Sequence, residues 1–283
     1  MKVCVIGGAN VDITATSARA FRIGDSNPGQ VHVSWGGVGR NIAHNLALLG
    51  DEAELLTIFG GGVFGPIIEK ACREMGIGTN HCDIADEHTH SFFVSVNNAD
   101  GELVGGIADM DAIEGMDTDW IAARLGVINA ADAVVADSNL MPGTLAFLID
   151  HCDKPLYLDA VSVAKAGRIA EAMAMSSRRS VFALKCNALE YEALADVKGV
   201  TRIYESAGAE GLRIHADGRL YEYPAFPCIV RSVTGGGDAL LAGIVHAGPQ
   251  ASVAESARAG LLCARCAVES PAAVNPEMKN LKL

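Results

Sequence analysis

From residue 118 to residue 196 the chain changes hydrophobic period again and again, and that alternation limits the available folds more than any other feature. Helical spacing over 118–129 gives way to the extended run Ala133-Val134-Val135-Ala136-Asp137. A helical stretch over 142–152 precedes Pro155-Leu156-Tyr157-Leu158-Asp159. Another over 163–175 precedes Val181-Phe182-Ala183-Leu184-Lys185, and a third is expected over 188–196. Parallel strands need long crossovers, usually helices, so the pattern predicts an α/β fold with a mostly parallel sheet covered on both faces. Such sheets hold their ligands beyond the carboxyl ends of the strands. Asp137 and Asp159 both close strands at that edge.

The N-terminal half adds glycine loops to this scaffold. Lys2-Val3-Cys4-Val5-Ile6 reads as a buried strand that turns at Gly7-Gly8 and feeds Ala9-Asn10-Val11-Asp12-Ile13. Asn10 and Asp12 are therefore expected near the carboxyl end of a core strand, although Asp12 reads equally well as a loop carboxylate capping local amides. After the turn signal Asp25-Ser26-Asn27-Pro28-Gly29, residues 30–35 alternate like a half-exposed strand. They run into Gly36-Gly37-Val38-Gly39-Arg40-Asn41 and then into a helix with apolar residues at 42, 43, 46 and 49, stopped by Gly50. A strand over 55–59 and a helix over 66–75 follow. Two alternating segments, 89–96 and 102–107, form a hairpin that is expected to pair with 30–35 as a small sheet standing off the main body. Shorter strands are expected over 202–206, 211–215 and 219–223, and an alanine-rich helix over 251–270. No repeat, low-complexity tract or linker divides the chain, so residues 1–283 are expected to form one domain.

The stretch Ser232-Val233-Thr234-Gly235-Gly236-Gly237-Asp238 opens an apolar, small-residue segment with helical spacing. Glycines let successive amides turn toward one point, and a helix N-terminus adds unsatisfied N–H groups, so Gly235, Gly236 and Gly237 can cradle an anion. A carboxylate in such a cradle repels the anion unless it serves to take a proton from a nucleophile. Asp238 therefore reads either as an N-terminal cap or as a general base in phosphoryl transfer to an alcohol. The segment Gly37-x-Gly39-x-x-x-Ala43 is also a loose dinucleotide fingerprint, but the strand before it is polar and alternating, which counts against nicotinamide binding.

A formal charge of −12 argues against nucleic acid or an anionic membrane as partner, so an anionic ligand must be held by local dipoles. The eight cysteines show no disulfide framework. Cys263-x-x-Cys266 lies in a helical pattern without a second pair for zinc. The first residues are too short an apolar run for a leader, and no run reaches membrane-spanning length; a cytoplasmic protein is expected.

Taken together, Val3–Asp12, the Gly36-Gly37 loop with Asn41, Asn187-x-x-Glu190, Ser206-x-Gly208-x-x-Gly211 and Thr234–Asp238 resemble the ribokinase-like (PfkB-type) carbohydrate kinases over essentially the whole chain. Within that family, Asp25–Gly29, Gly36–Ala43 and Asp159-x-Val161-Ser162-x-x-Lys165 look most like the pseudouridine kinases. The resemblance implies a three-layer α/β/α fold with a β-sheet lid drawn from about 11–35 and 89–108. It implies an ATP- and Mg²⁺-dependent kinase acting on the 5′-hydroxyl of a ribosyl nucleoside, with another sugar or nucleoside, or a non-catalytic binder on the same fold, as alternatives. Asp238 would be the base and Gly235, Gly236 and Gly237 the phosphoryl cradle. Asn10, Asp12, Gly36, Gly37 and Asn41 would bind the sugar. Asn187 and Glu190 would organise Mg²⁺, and Ser206, Gly208, Gly211 and Thr234, with Asn187, would lie along the nucleotide. The lid would also carry a homodimer contact. Three positions and one span depart from the family pattern. Gly236 replaces the commoner Ala, and Gly62 stands where many members carry Asp. Ser232 replaces an Asp that accompanies a monovalent-cation site, and the span from Glu190 to Ser206 is short, with a helix expected to be missing.

Overall fold

The computed structural model describes residues 1–194 and 197–283. An eight-stranded sheet runs, edge to edge, through Arg219–Tyr223, Leu212–Ala216, Val200–Ser206, Val181–Asn187, Leu156–Asp159, Ala133–Asp137, Lys2–Ile6 and Glu52–Leu56. Pairing is parallel from Val200–Ser206 to Glu52–Leu56, and the two remaining edge strands add as an antiparallel hairpin. The mostly parallel sheet expected from the alternation is present.

Side chains alternate across each strand, so one strand feeds two cores. Val3 and Val5 pack with Val135, Tyr157 and Ala183 beneath helices Val38–Leu48, Gly236–Ala247 and Val253–Val268. Cys4 and Ile6 pack with Val134, Ala136 and Leu158 on the opposite face, against Pro142–His151 and Val163–Met175. These side chains are almost wholly buried, and the valine, leucine and isoleucine side chains among them contribute about 1.5–3 kcal/mol each through burial.

A second, four-stranded sheet has the order Gly29–Gly36, Asn10–Ser17, Phe92–Asn97, Leu103–Asp109. Here the strand expected over 30–35 does not pair with the hairpin. Asn10–Ser17 lies between them, antiparallel to one neighbour and parallel to the other. Asn10 and Asp12 accordingly begin a strand of this small sheet, a short turn beyond the carboxyl end of Lys2–Ile6, near which the sequence places them. The reason is the turn at Gly7-Gly8, which leaves the main sheet and lets the following residues pair elsewhere.

Other boundaries also differ. The helix expected over 118–129 is two short helices, Thr118–Ala122 and Leu125–Ile128. The strand over 55–59 divides at Thr57, and Ile58–Phe59 pairs with Asp83–Ile84. The helix expected over 188–196 is seen as Ala188–Ala193, and residues 195–196 lie outside the described residues. All eight cysteines are free. Burial pushes the Cys263 thiol up to about 12 and raises Cys266 as well, which suits inert core thiols. Among the described residues, no helix is long and apolar enough to cross a membrane.

Candidate active site

The apolar stripe facing helix Gly236–Ala247 ends in charge. Val135, Tyr157 and Ala183 lie on that face, and a period of two places Asp137, Asp159 and Lys185 after them. The strand register sets Asp159 opposite both Asp137 and Lys185. The three groups are buried side by side at the carboxyl edge of the sheet.

Asp137 secures loops. Its Oδ2 accepts from the amides of Gly8 at 2.8 Å and Gly39 at 3.1 Å, and its Oδ1 accepts from that of Asn139 at 3.0 Å. One carboxylate thus clamps the first turn of the chain to the start of helix Val38–Leu48. Asp159 faces inward instead, with Oδ2 3.2 Å from Lys185 Nζ. Burial works against the Lys185 charge, but Asp159, Asp238 and Glu190 hold its pKa above the ordinary lysine value.

Above this floor the helix Gly236–Ala247 begins. Gly235 precedes it in the left-handed region at φ 80°, and a Cβ there would come within 1.8 Å of Ala273 O, so only glycine fits the turn. First-turn amides have no intrahelical acceptor; that of Gly236 makes a long bond to Val233 O at 3.3 Å. Asp238 sits in this first turn and is buried. Burial, reinforced by Asp159, pushes its carboxyl up to about 6, while Lys185, Asn41 and Arg40 pull it down. A carboxylate poised there is ionised at neutral pH yet remains a usable proton acceptor.

The other glycine loop meets it from the opposite side. Gly37 has φ 97°, and a Cβ there would come within 2.3 Å of Gly8 O. The loop can therefore lie directly on the Gly7-Gly8 turn. Behind it, Asn41 Nδ2 donates to Asp238 Oδ2 at 2.7 Å. The Asn41 Oδ1 accepts from the buried Arg40 guanidinium, which also donates to the carbonyls of Trp35 and Gly36. Asp12 lies at the base of the small sheet, accepting from Asn10 Nδ2 at 2.6 Å. A Cβ on Gly36 would fall 2.2 Å from Asp12 Oδ2, so this glycine keeps the carboxylate's space clear. Burial raises the Asp12 pKa against the opposing pull of Asn10 and Arg40.

The remaining candidates are less closely gathered. Asn187 and Glu190 form a capping box: Asn187 Oδ1 accepts from the Glu190 amide at 2.9 Å, and Glu190 Oε2 from the Asn187 amide at 2.8 Å. Ser206 Oγ donates to Cys186 O at 3.3 Å. Gly211 is required by packing, since a Cβ would fall 2.1 Å from Tyr223 O, whereas Gly208 is exposed with open space around it. Thr234 is exposed, and its amide donates to Ser232 Oγ at 3.2 Å. Sequence reasoning missed two groups, Lys185 and Arg40. Lys185 had a readable signal, a cation ending an otherwise apolar strand face; Arg40 had none beyond its place in the glycine loop.

A buried carboxylate in the first turn of a glycine-opened helix, on a three-layer α/β/α scaffold, fits the phosphotransferases with an alcohol acceptor to which the family match assigns this chain. The chain belongs to the pfkB family of carbohydrate kinases, which residues 1–280 match. Within that family it is similar to the pseudouridine kinase of Escherichia coli (strain K12), 29% identical over 98% of this chain and 93% of the relative. It is also similar to the guanosine-inosine kinase of Exiguobacterium acetylicum, 28% identical over 54% of this chain and 50% of that protein. Among solved structures, a carbohydrate kinase from Agrobacterium tumefaciens superposes with a TM-score of 0.83 at 28% identity, covering 99% of this chain and 96% of the other. Arabidopsis thaliana ribokinase complexed with ribose and ATP shares the fold at a TM-score of 0.82 and 19% identity, over 99% and 97% of the two chains. The chain is thus a PfkB-type sugar or nucleoside kinase.

Proposed function

We propose that this kinase transfers the γ-phosphoryl group of ATP to the 5′-hydroxyl of a ribosyl nucleoside, with pseudouridine the favoured acceptor. The observation that carries the chemistry is Asp238, a buried carboxylate with its pKa raised to about 6, in the first turn of the helix that the glycine run opens. The full-length similarity to a pseudouridine kinase supports the acceptor. The partial similarity to a guanosine-inosine kinase supports a nucleoside over a free sugar.

In this reading Asp238 takes the proton from the acceptor hydroxyl as the new O–P bond forms and the bond to the leaving diphosphate breaks. Amides of Gly235–Gly237 meet charge on the transferring group, a task that preorganised backbone dipoles perform without rearrangement. Asp12, with Asn10, Gly36 and Gly37 shaping its pocket, accepts from ribose hydroxyls, and Asn41 keeps Asp238 aimed. Ser206, Gly208, Gly211, Thr234 and Asn187 border the nucleotide.

Mg²⁺ suits the oxygen donors present. Glu190 is a buried carboxylate whose charge reaches Lys185, and hard oxygens that engage largely through water are what Mg²⁺ prefers. Asn187 and Glu190 would hold the ion, which would supply neutralisation of the phosphate charge. Ser232 offers a hydroxyl where a monovalent-cation site would use a carboxylate, so no such dependence is proposed.

The small sheet is proposed to act as a lid belonging to the same single domain. Its register puts Asp12, Ser34, Phe93 and Ala108 on one face and Val33, Ile13, Val94 and Ile107 on the other. The second face is apolar and open: Ile107 is 70% exposed, Val31 69% and Val33 43%. A patch of this kind marks an association surface, and a second copy of the chain is the proposed occupant. A cytoplasmic location is proposed from the family's small-molecule chemistry.

The test is a panel of pseudouridine, inosine, guanosine, adenosine and ribose with Mg-ATP, assayed for ADP and phosphorylated product. Pseudouridine should give the highest kcat/KM. A higher value for another acceptor would reassign the substrate, and binding without turnover of any would make the chain a binder on a kinase fold.

A further inference from the structure

We infer that Lys185, locked in place by Asp159, is the fixed cation of the phosphoryl cradle, a positioning residue that faces charge arriving at Gly235–Gly237 through the gap that Gly237 leaves open. This inference rests on the assignment of Asp238 as the base.

Three observations carry it. First, a Cβ on Gly237 would lie 2.7 Å from Lys185 Nζ and 3.1 Å from its Cε. The ammonium therefore sits directly against the first turn of the helix, where the cradle amides are. Second, Asp159 is hydrogen-bonded at one oxygen and ion-paired at the other, the Oδ2 having no hydrogen-bond partner of its own among the described residues. Its Oδ2 is 3.2 Å from Lys185 Nζ, and its Oδ1 accepts from the Val161 amide at 2.8 Å. Val161 reaches that position with φ 61°, a left-handed conformation that a β-branched residue adopts only when its surroundings force it. Strain of this kind is retained where a geometry has a use. Third, the pair is buried, Asp159 at 0% and Lys185 at 7% exposure, at the end of a strand face whose preceding residues Tyr157 and Ala183 are apolar core. Replacing a buried ion pair by apolar groups is often neutral or stabilising, so stability alone does not account for keeping it.

The charges around Asp238 make the role testable. The groups acting on it are Asp159 and Lys185 from the strand ends and Asn41 and Arg40 from helix Val38–Leu48; Glu190, from its own helix, acts on Lys185. Removing Lys185 takes a positive charge away from both the base and the arriving phosphate. Removing the Asp159 charge does the reverse.

The experiment compares wild type, Lys185→Met, Lys185→Arg, Asp159→Asn and Asp238→Asn. It uses Mg-ATP with the best acceptor of the nucleoside panel, and ATP titration by calorimetry without acceptor. Lys185→Met should move the acidic limb of kcat/KM upward by about one pH unit or more and weaken ATP binding. Asp159→Asn should move the limb downward and leave ATP binding equal or tighter. Lys185→Arg, which keeps the charge, should hold the limb near its wild-type position. If Lys185→Met fails to fold, the downward limb in Asp159→Asn and the unmoved limb in Lys185→Arg decide the matter. Limbs that stay put or move in the same direction in the Met and Asn variants, while Asp238→Asn is inactive, overturn the role of Lys185 and leave the base assignment standing. Wild-type-like turnover in Asp238→Asn overturns the base assignment and this inference with it.

Discussion

Asn41 Nδ2 and Asp238 Oδ2 lie 2.7 Å apart, so one hydrogen bond joins two glycine loops separated by 197 residues of chain. The Asn41 amide is engaged at both its nitrogen and its oxygen, since its carbonyl accepts from Arg40. Its orientation is therefore set from both ends, and a donor, not an acceptor, faces the carboxylate. The bond favours ionised Asp238 and fixes its direction, two conditions for a general base.

Asp238→Asn preserves the shape of that contact but removes proton acceptance. Turnover should fall by about 10²–10⁴-fold, or roughly 3–5.5 kcal/mol in barrier. ATP affinity should stay equal or improve, because a negative charge leaves the cradle. Steady-state kinetics and ATP titration on both proteins check this; wild-type-like turnover would remove Asp238 from the chemistry and leave it only the contact to Asn41, since the helix has no side-chain cap.

The same carboxylate sets a pH dependence in activity and stability. Activity should rise with pH through about 6 as Asp238 ionises. Stability runs the other way. The folded pKa lies above the ordinary 3.8, so between those values the folded protein binds a proton that the unfolded chain does not. Stability from this group is therefore lost as pH rises from about 4 to 6 and stays lost above. Asp238→Asn should accordingly be more stable at pH 8, by about 1–3 kcal/mol. Urea unfolding of both proteins at pH 5 and pH 8 measures the difference; equal differences at the two pH values would contradict the raised pKa.

Asp12→Ala should weaken acceptor binding. A ribose hydroxyl buried without its charged partner costs on the order of 1.5–3 kcal/mol, so KM for the acceptor should rise about tenfold or more. KM for ATP should change little. An unchanged acceptor KM would remove Asp12 from the sugar site.

Asp137→Ala should act on stability. It strands the buried amides of Gly8 and Gly39, for a loss of about 2–4 kcal/mol. Thermal unfolding should show a drop of several degrees, and a Tm within a degree of wild type would mean the loops are held by other contacts.

Ile107→Lys places a charge on the edge strand Leu103–Asp109, within the open apolar face of the small sheet. Sedimentation should show a dimer in the wild type and a shift toward monomer in the variant. A monomeric wild type at working concentration would rule out the proposed contact.

How much of this was readable in advance depends on the distance along the chain over which each feature is decided. The alternation over 118–196 specified a parallel sheet because period and crossover length are properties of consecutive residues. The glycine runs at 36–37 and 235–237 marked their loops for the same reason: left-handed backbone at Gly37 and Gly235 is a local demand that few other residues meet. The split of 118–129 into two helices and the bend at Thr57 were not legible, because the periodicity continues through both while packing interrupts the backbone.

What only the tertiary structure decided are the partnerships across strands. Asp137 and Asp159 look alike in sequence, each an acid closing a buried strand. One clamps two loops and the other holds a lysine, because different segments happen to pass over neighbouring strand ends. Lys185 reads as the last residue of an apolar strand until the register brings it beside Asp159 and under Gly237. Likewise, Asn10 and Asp12 follow a core strand in sequence, yet they belong to the small sheet because Gly29–Gly36 and Phe92–Asn97 are there to pair with them. Sequence determines which residues can bend, pair or carry charge, through forces acting within a turn or two. Which charges meet is decided by the crossovers, whose closure brings residues far apart in the chain into a low-dielectric interior where a contact of 3 Å outweighs any local preference.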